Sequence, residues 1–292
     1  MIKTDHHMHT DASLDSSSSI EDMIKQAIKI GLTEICITDH TDFALIDDVN
    51  NWGLNDKQKS WVKPLANGKT CEITKIEFDQ YIDNYKRLAA LYKNKITVLM
   101  GTEIGLCNAS YNAIITHAAK YPFDFIIASQ HSAAKYDICL NREAYFLNRC
   151  KGDAYASHLE EVIRNIRTFD CFDVLGHLDY IIRYAPFKDR DMHVHKFDDQ
   201  LRLLLRTLVE KGKGIEINTS GFRYGLGRAH PSIEILQLFR KLGGEIITIG
   251  SDAHKPEDIG SHFTKAKEIL HAAGFKAYTK FAQRKPTFVI LK

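Results

Sequence analysis

The segment DHHMHTDASLD, from Asp5 to Asp15, packs three histidines and three aspartates into eleven residues. Such density fits either a solvated stretch or a metal site, and the rest of the chain has to decide. His7 and His9 stand two apart, so on a strand both side chains point to one face. His40 follows in TDH, Glu103 in GTE, His131 in SQH and His177 in GH, while Asp252 and His254 close the series in SDAH. Each lies at the carboxyl end of a short apolar run rich in β-branched residues. In a parallel barrel those ends converge on the face where catalytic groups collect. Six of the fourteen histidines fall there, which random scatter would not produce.

Imidazole and carboxylate without thiolate suit zinc, manganese or iron(II) as a catalytic centre. His7, His9, His40, His131, His177 and His254 together with Asp15, Glu103 and Asp252 exceed the needs of one ion. Two to three divalent ions sharing carboxylates would clamp an in-line displacement at phosphorus and activate water as nucleophile. No Ser-His-Asp order or cysteine nucleophile is required.

The elements that would position these residues alternate along the chain. Strands are expected at 2–8, 34–39, 96–104, 124–130, 173–178, 214–219 and 246–252, with 288–291 pairing at an edge. Ser18 and Glu21 read as a capping box, Ile20, Ile24, Ala27 and Ile28 mark one helix face, and Gly31 ends that helix. Segments 74–93, 154–169, 192–211, 231–242 and 256–273 read as helices, with Pro231 and Pro256 at first-turn positions. Alternation of this kind implies an α/β fold of parallel strands with crossover helices. Residues 42–73 and 105–123 lack clear periodicity and are expected as rim or lid segments.

The totals narrow the class. Hydrophobic content of 44% and charged content of 26% are those of a globular chain, and a net charge of +2 with no Lys/Arg run disfavours a nucleic-acid surface. MIKTDHHMHT is polar where a signal peptide would be apolar, and no eighteen-residue apolar stretch exists, so a cytoplasmic protein without membrane contact is expected. The six scattered cysteines form no CxxC and read as reduced thiols.

HxHTxxSxD (His7, His9, Thr10, Ser13, Asp15), TDH, GTEI, SQH, GHLD and GSDAH, in this order, resemble the polymerase and histidinol phosphatase (PHP) family. The resemblance spans residue 5 to about residue 260 and implies a distorted (β/α)7 barrel, here one domain over 1–292, with a trinuclear metal site. It implies one ion on His7, His9, Glu103 and Asp252, a second on Glu103, His131 and His177, and a third on Asp15, His40 and His254. Many members carry histidine where this chain has Asp15. GHLDYIIRY and EINTSGFR are most similar to the monofunctional branch that hydrolyses histidinol phosphate. In that branch arginines after the fifth and sixth strands grip the phosphate, and Arg183 and Arg223 occupy those places. GLGRAHPS departs from the pattern and makes Arg228 a competing candidate. Asp252 and His254 are together a candidate proton source for the leaving alkoxide.

Blander readings apply elsewhere. His6, His117, His158, His230, His262 and His271 are expected as structural or surface residues. The second HxH, His193 and His195, sits in a polar loop with no strand before it. Asp39 and Asp179 are expected to orient ligand imidazoles. Trp52, Trp61, Tyr81 and Tyr85 would form either an apolar wall over a small ring or lid packing. Two alternatives to a histidinol phosphatase remain: a phosphoesterase acting on nucleotides, sugar phosphates or nucleic-acid ends, and a non-catalytic metal-binding module.

Overall fold

A computed structural model describes residues 2–291. Met1 and Lys292, the ends of the expected 1–292 unit, lie outside the described residues. Seven strands run parallel and adjacent in chain order: β1 Thr4–Asp5, β2 Glu34–Ile37, β3 Thr97–Gly105, β4 Phe125–Ser129, β5 Val174–Leu175, β6 Gly214–Asn218 and β7 Ile247–Gly250. The first and last also meet. His6 N donates to Ile249 O (3.1 Å), Asp252 N to His7 O (2.8 Å) and His9 N to Ala253 O (2.8 Å), so the ring of strands closes. Several strands are shorter than the apolar runs suggest, β5 covering two residues of an expected six. The backbone leaves regular pairing where the chemistry-bearing residues begin.

Inside the ring, strand alternation sorts side chains by height. Cys36, Leu99, Phe125, Ile127 and Val174 form an apolar layer closed from below by Phe281. Glu103, Ser129 and Glu216 follow two or four residues further along the same inward faces and are buried. Gly101 lies between the layers, and a Cβ there would come within 2.8 Å of Cys36 Sγ and of Phe125 O.

Helices cover the outside through their apolar stripes. In Ile20–Lys29 the buried residues are Ile20, Met23, Ile24 and Ala27. Its cap is Ser19 rather than Ser18: Ser19 Oγ accepts from Asp22 N at 3.1 Å, one residue later than the capping-box reading. The helix ends in a Schellman arrangement, with Gly31 at φ 78° and Leu32 N donating to Ala27 O. Leu201, Leu204, Leu205 and Leu208 serve the same purpose on Asp198–Glu210. Pro256 opens only a short 3-10 turn, Pro256–Asp258, the α-helix of the expected 256–273 segment being Phe263–Ala272, and Pro231 precedes the cap Ser232 and lies outside the helix Ile233–Lys241.

Three expectations change. Within 105–123, Tyr111–Lys120 is an ordinary helix burying Ile114, His117 and Ala118. The 42–73 segment is not irregular. Strand two resumes as His40–Leu45, pairs with β3, and continues into an antiparallel ribbon with Thr70–Ile73 and Val62–Pro64. The C-terminal strand Lys285–Ile290 joins no barrel edge; it forms a hairpin with Ala277–Ala282, whose Phe281 ring stacks on Phe125 at 5.1 Å. Among the described residues no helix is long and apolar enough to cross a membrane, and all six cysteines are free.

Candidate metal centre and active site

Glu103 is the hub. It stands near the end of β3, fully buried, with His40 beside it in register on the neighbouring strand. Its Oε1 lies 2.8 Å from His177 Nε2 and 3.2 Å from His131 Nε2. Its Oε2 lies 3.1 Å from His40 Nδ1, 3.2 Å from His7 Nε2 and 3.4 Å from His9 Nε2. Asp252 Oδ1 approaches His9 Nε2 at 3.5 Å and His7 Nε2 at 3.8 Å. At the rim, Asp15 reaches His254 Nε2 (3.0 Å) and His40 Nε2 (3.7 Å). All nine candidate ligands therefore meet at the carboxyl ends of the strands.

The donor set fits cations. Four triplets place their ligand atoms within 4.8 Å of one another: His7, His9 and Glu103; His40, Glu103 and His131; His7, His177 and Asp252; and His9, His40 and His254. His40 Nδ1 is buried and near Glu103 yet makes no hydrogen bond, which suits two donors sharing an ion better than a donor meeting an acceptor. Burial opposes charge on His7, but Glu216, Glu103 and Asp252 hold its imidazolium form well above the usual range. Glu103 is desolvated too, and His7, His40 and His131 nonetheless hold it well below the carboxylate range. His9 moves oppositely, pushed down by burial and by His40 and His254.

Carboxylates behind the imidazoles fix their orientation. Glu216 Oε1 lies 2.6 Å from His7 Nδ1, and its Oε2 accepts from His177 N and Asn218 Nδ2. Asp42 Oδ1 lies 3.0 Å from His131 Nδ1. Sequence reasoning missed both. The signal for Glu216 was available: an acid at an inward position of the buried strand GIEIN. Gly250 leaves the space for it, since a Cβ there would meet Glu216 Oε1 at 2.3 Å. Asp39 acts at one remove, accepting from Ser13 Oγ, which in turn touches His9 Nδ1. Asp179 orients no candidate ligand; it holds His230 Nδ1 (2.6 Å) and Arg228 Nη1 (3.0 Å).

The arginines divide. Arg183 lines the cavity above the cluster, donating to Asp252 Oδ2 (3.0 Å) and Ser220 Oγ (2.6 Å) between the rings of Tyr180 and Tyr224. Arg223 faces away, spending its guanidinium on the backbone carbonyls of Ser251 and Asp252. Arg228 is committed to Asp179 and Asp191 and lines a different cleft. His254 has both ring nitrogens engaged, by Asp15 and by Asp252 O, which makes it a ligand candidate and not a free acid.

The cavity over the cluster measures about 160 Å³. Trp52, Leu54, Trp61 and Ile73 of the 42–73 segment line it, together with Tyr180, Tyr184 and Tyr224. Tyr81 and Tyr85 belong elsewhere, bonding Asp39 Oδ2 and Val98 O behind the site. His193 pairs with Asp189 far from the cluster, and His6 pairs with Glu34 at the closed end.

The PHP domain family matches residues 5–220, nearly three quarters of the chain. This chain belongs to the PHP family. Asp252 and His254 lie beyond the matched PHP span and are supplied by the loop after β7. A histidinol-phosphatase of Lactococcus lactis is 30% identical over 98% of this chain and 96% of its own length. A probable histidinol-phosphatase of Clostridium acetobutylicum is 27% identical over 93% of this PHP chain and 94% of its own. The crystal structure of the Lactococcus lactis histidinol phosphate phosphatase, complexed with zinc, L-histidinol and phosphate, superposes with a TM-score of 0.82 at 27% identity, covering 98% of each chain.

Proposed function

We propose that this chain hydrolyses L-histidinol phosphate to L-histidinol and inorganic phosphate, as a step of histidine biosynthesis, with two to three divalent ions as cofactor. What carries the reading is Glu103, ringed by the imidazoles of His7, His9, His40, His131 and His177 and overlooked by Arg183 in one cavity. Similarity over nearly the whole length to an enzyme crystallised with zinc, L-histidinol and phosphate supports the choice of substrate. His7, His9, Glu103 and Asp252 would hold one ion, Glu103 with His131 and His177 a second, and Asp15, His40 and His254 a third. Zinc, manganese and iron(II) all accept these donors. Because the ligands run from His7 to His254, we infer one catalytic unit across the chain.

Bound ions supply Lewis acidity toward phosphoryl oxygens and acidify water. The chain supplies the rest. Glu216 keeps His7 Nε2 free to ligate by occupying its Nδ1, and Asp42 does so for His131. Arg183 adds positive charge where the transition state gathers negative charge on the phosphoryl oxygens. Its anchorage to Asp252 and Ser220 pre-pays the ordering of that guanidinium. Trp52 and Trp61 of the 42–73 segment exclude water and offer an apolar wall for a flat ring such as imidazole.

A phosphate-release panel tests the reading. L-histidinol phosphate should turn over far faster than nucleotide monophosphates or sugar phosphates. Comparable rates across the panel would replace the assignment with a broad phosphoesterase.

A further inference from the structure

Five carboxylates line the cavity: Asp15, Asp42, Glu103, Asp137 and Asp252. Four are matched to imidazole or guanidinium groups, Asp15 by His254, Asp42 by His131, Glu103 by its ring of histidines and Asp252 by Arg183. Asp137 is not. One oxygen, Oδ1, accepts from the backbone N–H groups of Cys139 (2.9 Å) and Leu140 (2.6 Å). Among the described residues its other oxygen has no hydrogen-bond partner, and no cationic side chain pairs with it.

The position is built, not incidental. Asp137 ends a two-stranded hairpin that starts immediately after His131, and it pairs directly with Ser132. The turn places Ala134 (φ 47°) and Lys135 (φ 75°) in the left-handed region, which non-glycine residues seldom occupy. Trp52 Nε1 donates to Lys135 O at 3.2 Å and ties this turn to the 42–73 segment. Asp137 therefore holds a fixed place near His131, with Cys139, Leu140 and Tyr180 also lining that part of the cavity. Burial pushes its carboxyl up to about 6, against the lowering effect of the Leu140 and Cys139 N–H groups and of nearby His131.

We propose that Asp137 receives a positively charged nitrogen of the substrate, so that the cavity selects phosphate esters bearing an ammonium group. This rests on the phosphatase reading and narrows its substrate class. Histidinol phosphate satisfies it, carrying an amine on the carbon next to the one that bears the phosphate. The geometry divides the labour: the cluster and Arg183 take the anionic end, and Asp137 takes the cationic one. Neutral and purely anionic esters lose the second contact and meet an unpaired carboxylate instead.

Asp137→Asn is the discriminating variant, because asparagine keeps the Oδ1 acceptor for Cys139 N and Leu140 N and removes only the charge. Asp137→Ser, which also retains an acceptor for the turn, serves as a second. Metal-loaded wild type and variants are compared on L-histidinol phosphate and on its analogue lacking the amine, 3-(imidazol-4-yl)propyl phosphate. The ratio of kcat/KM for the two substrates should fall by about 10- to 100-fold in D137N, the scale of a lost hydrogen bond to a charged group, chiefly through KM for the aminated ester. Inhibition by free L-histidinol should weaken in parallel. A wild-type ratio in both folded variants overturns the proposal while leaving the phosphatase reading intact. A wild type that is inert toward histidinol phosphate but active on other phosphomonoesters overturns both.

Discussion

Replacing Glu216 with glutamine exchanges one oxygen for an amide, and the surroundings allow no satisfactory orientation. The carboxylate serves three donors at once: His7 Nδ1 at 2.6 Å, His177 N at 3.1 Å and Asn218 Nδ2 at 3.0 Å. A glutamine with its oxygen toward His7 turns its NH2 against two N–H groups, leaving buried donors unmatched at about 1–3 kcal/mol. Turned the other way, the NH2 faces His7 Nδ1 and drives the ring proton to Nε2, the atom that lies beside Glu103 and His9. The first orientation loosens the support under His7 and His177, and the second makes His7 a poorer ligand. Loss of such an orienting partner typically weakens a metal site 10- to 100-fold, about 1.4–2.7 kcal/mol. Zinc titration of E216Q against a competing chromophoric chelator, with metal content by elemental analysis, reads this directly. E216Q binding the wild-type number of ions within twofold of wild-type affinity would refute the orienting role.

Arg183→Ala should lower kcat/KM for the phosphate ester about 10²-fold, the scale of a lost charge-stabilising donor, and a steady-state result within threefold of wild type would remove Arg183 from phosphate recognition. His158 gives a pH prediction away from the site. It is fully buried, and burial pushes it down from 6.5 to about 4, so its neutral form favours the fold in full above about pH 6.5. As pH falls toward 4 the unfolded chain takes up a proton that the folded chain refuses, and about 3 kcal/mol is lost. Urea unfolding at pH 7.5 and 4.5 should show that loss, and His158→Met should flatten it; equal slopes in both proteins would place the acid sensitivity elsewhere.

The candidate ligands could be picked out because nearly all are local events, polar residues closing apolar runs, and the barrel brings six such strand ends together. Their supporting residues are harder to place: GIEIN marks Glu216 as a buried inward acid, but its pairing with His7, like that of Asp42 with His131, depends on contacts remote in sequence. Arg223 and Arg228 were misplaced for the same reason. A guanidinium five or ten residues beyond the end of β6 can turn to the mouth or away from it. Here the carbonyls of Ser251 and Asp252 and the carboxylates of Asp179 and Asp191 claim them. The helix Tyr111–Lys120 hid because its buried face includes His117, packed among Phe78, Tyr121 and Phe123 rather than aliphatic residues. The ribbon within 42–73 hid because strand two, interrupted at Thr38 and Asp39, resumes with a new antiparallel partner.

Metal removal tests the central claim most directly. Purified protein stripped with a chelator, with ion content measured on the same sample, should release no phosphate from L-histidinol phosphate. Adding back zinc, manganese or iron(II) should restore turnover as two to three ions bind per chain, the number a multi-ion phosphatase site requires. Undiminished turnover in a sample shown to hold no metal would contradict the account.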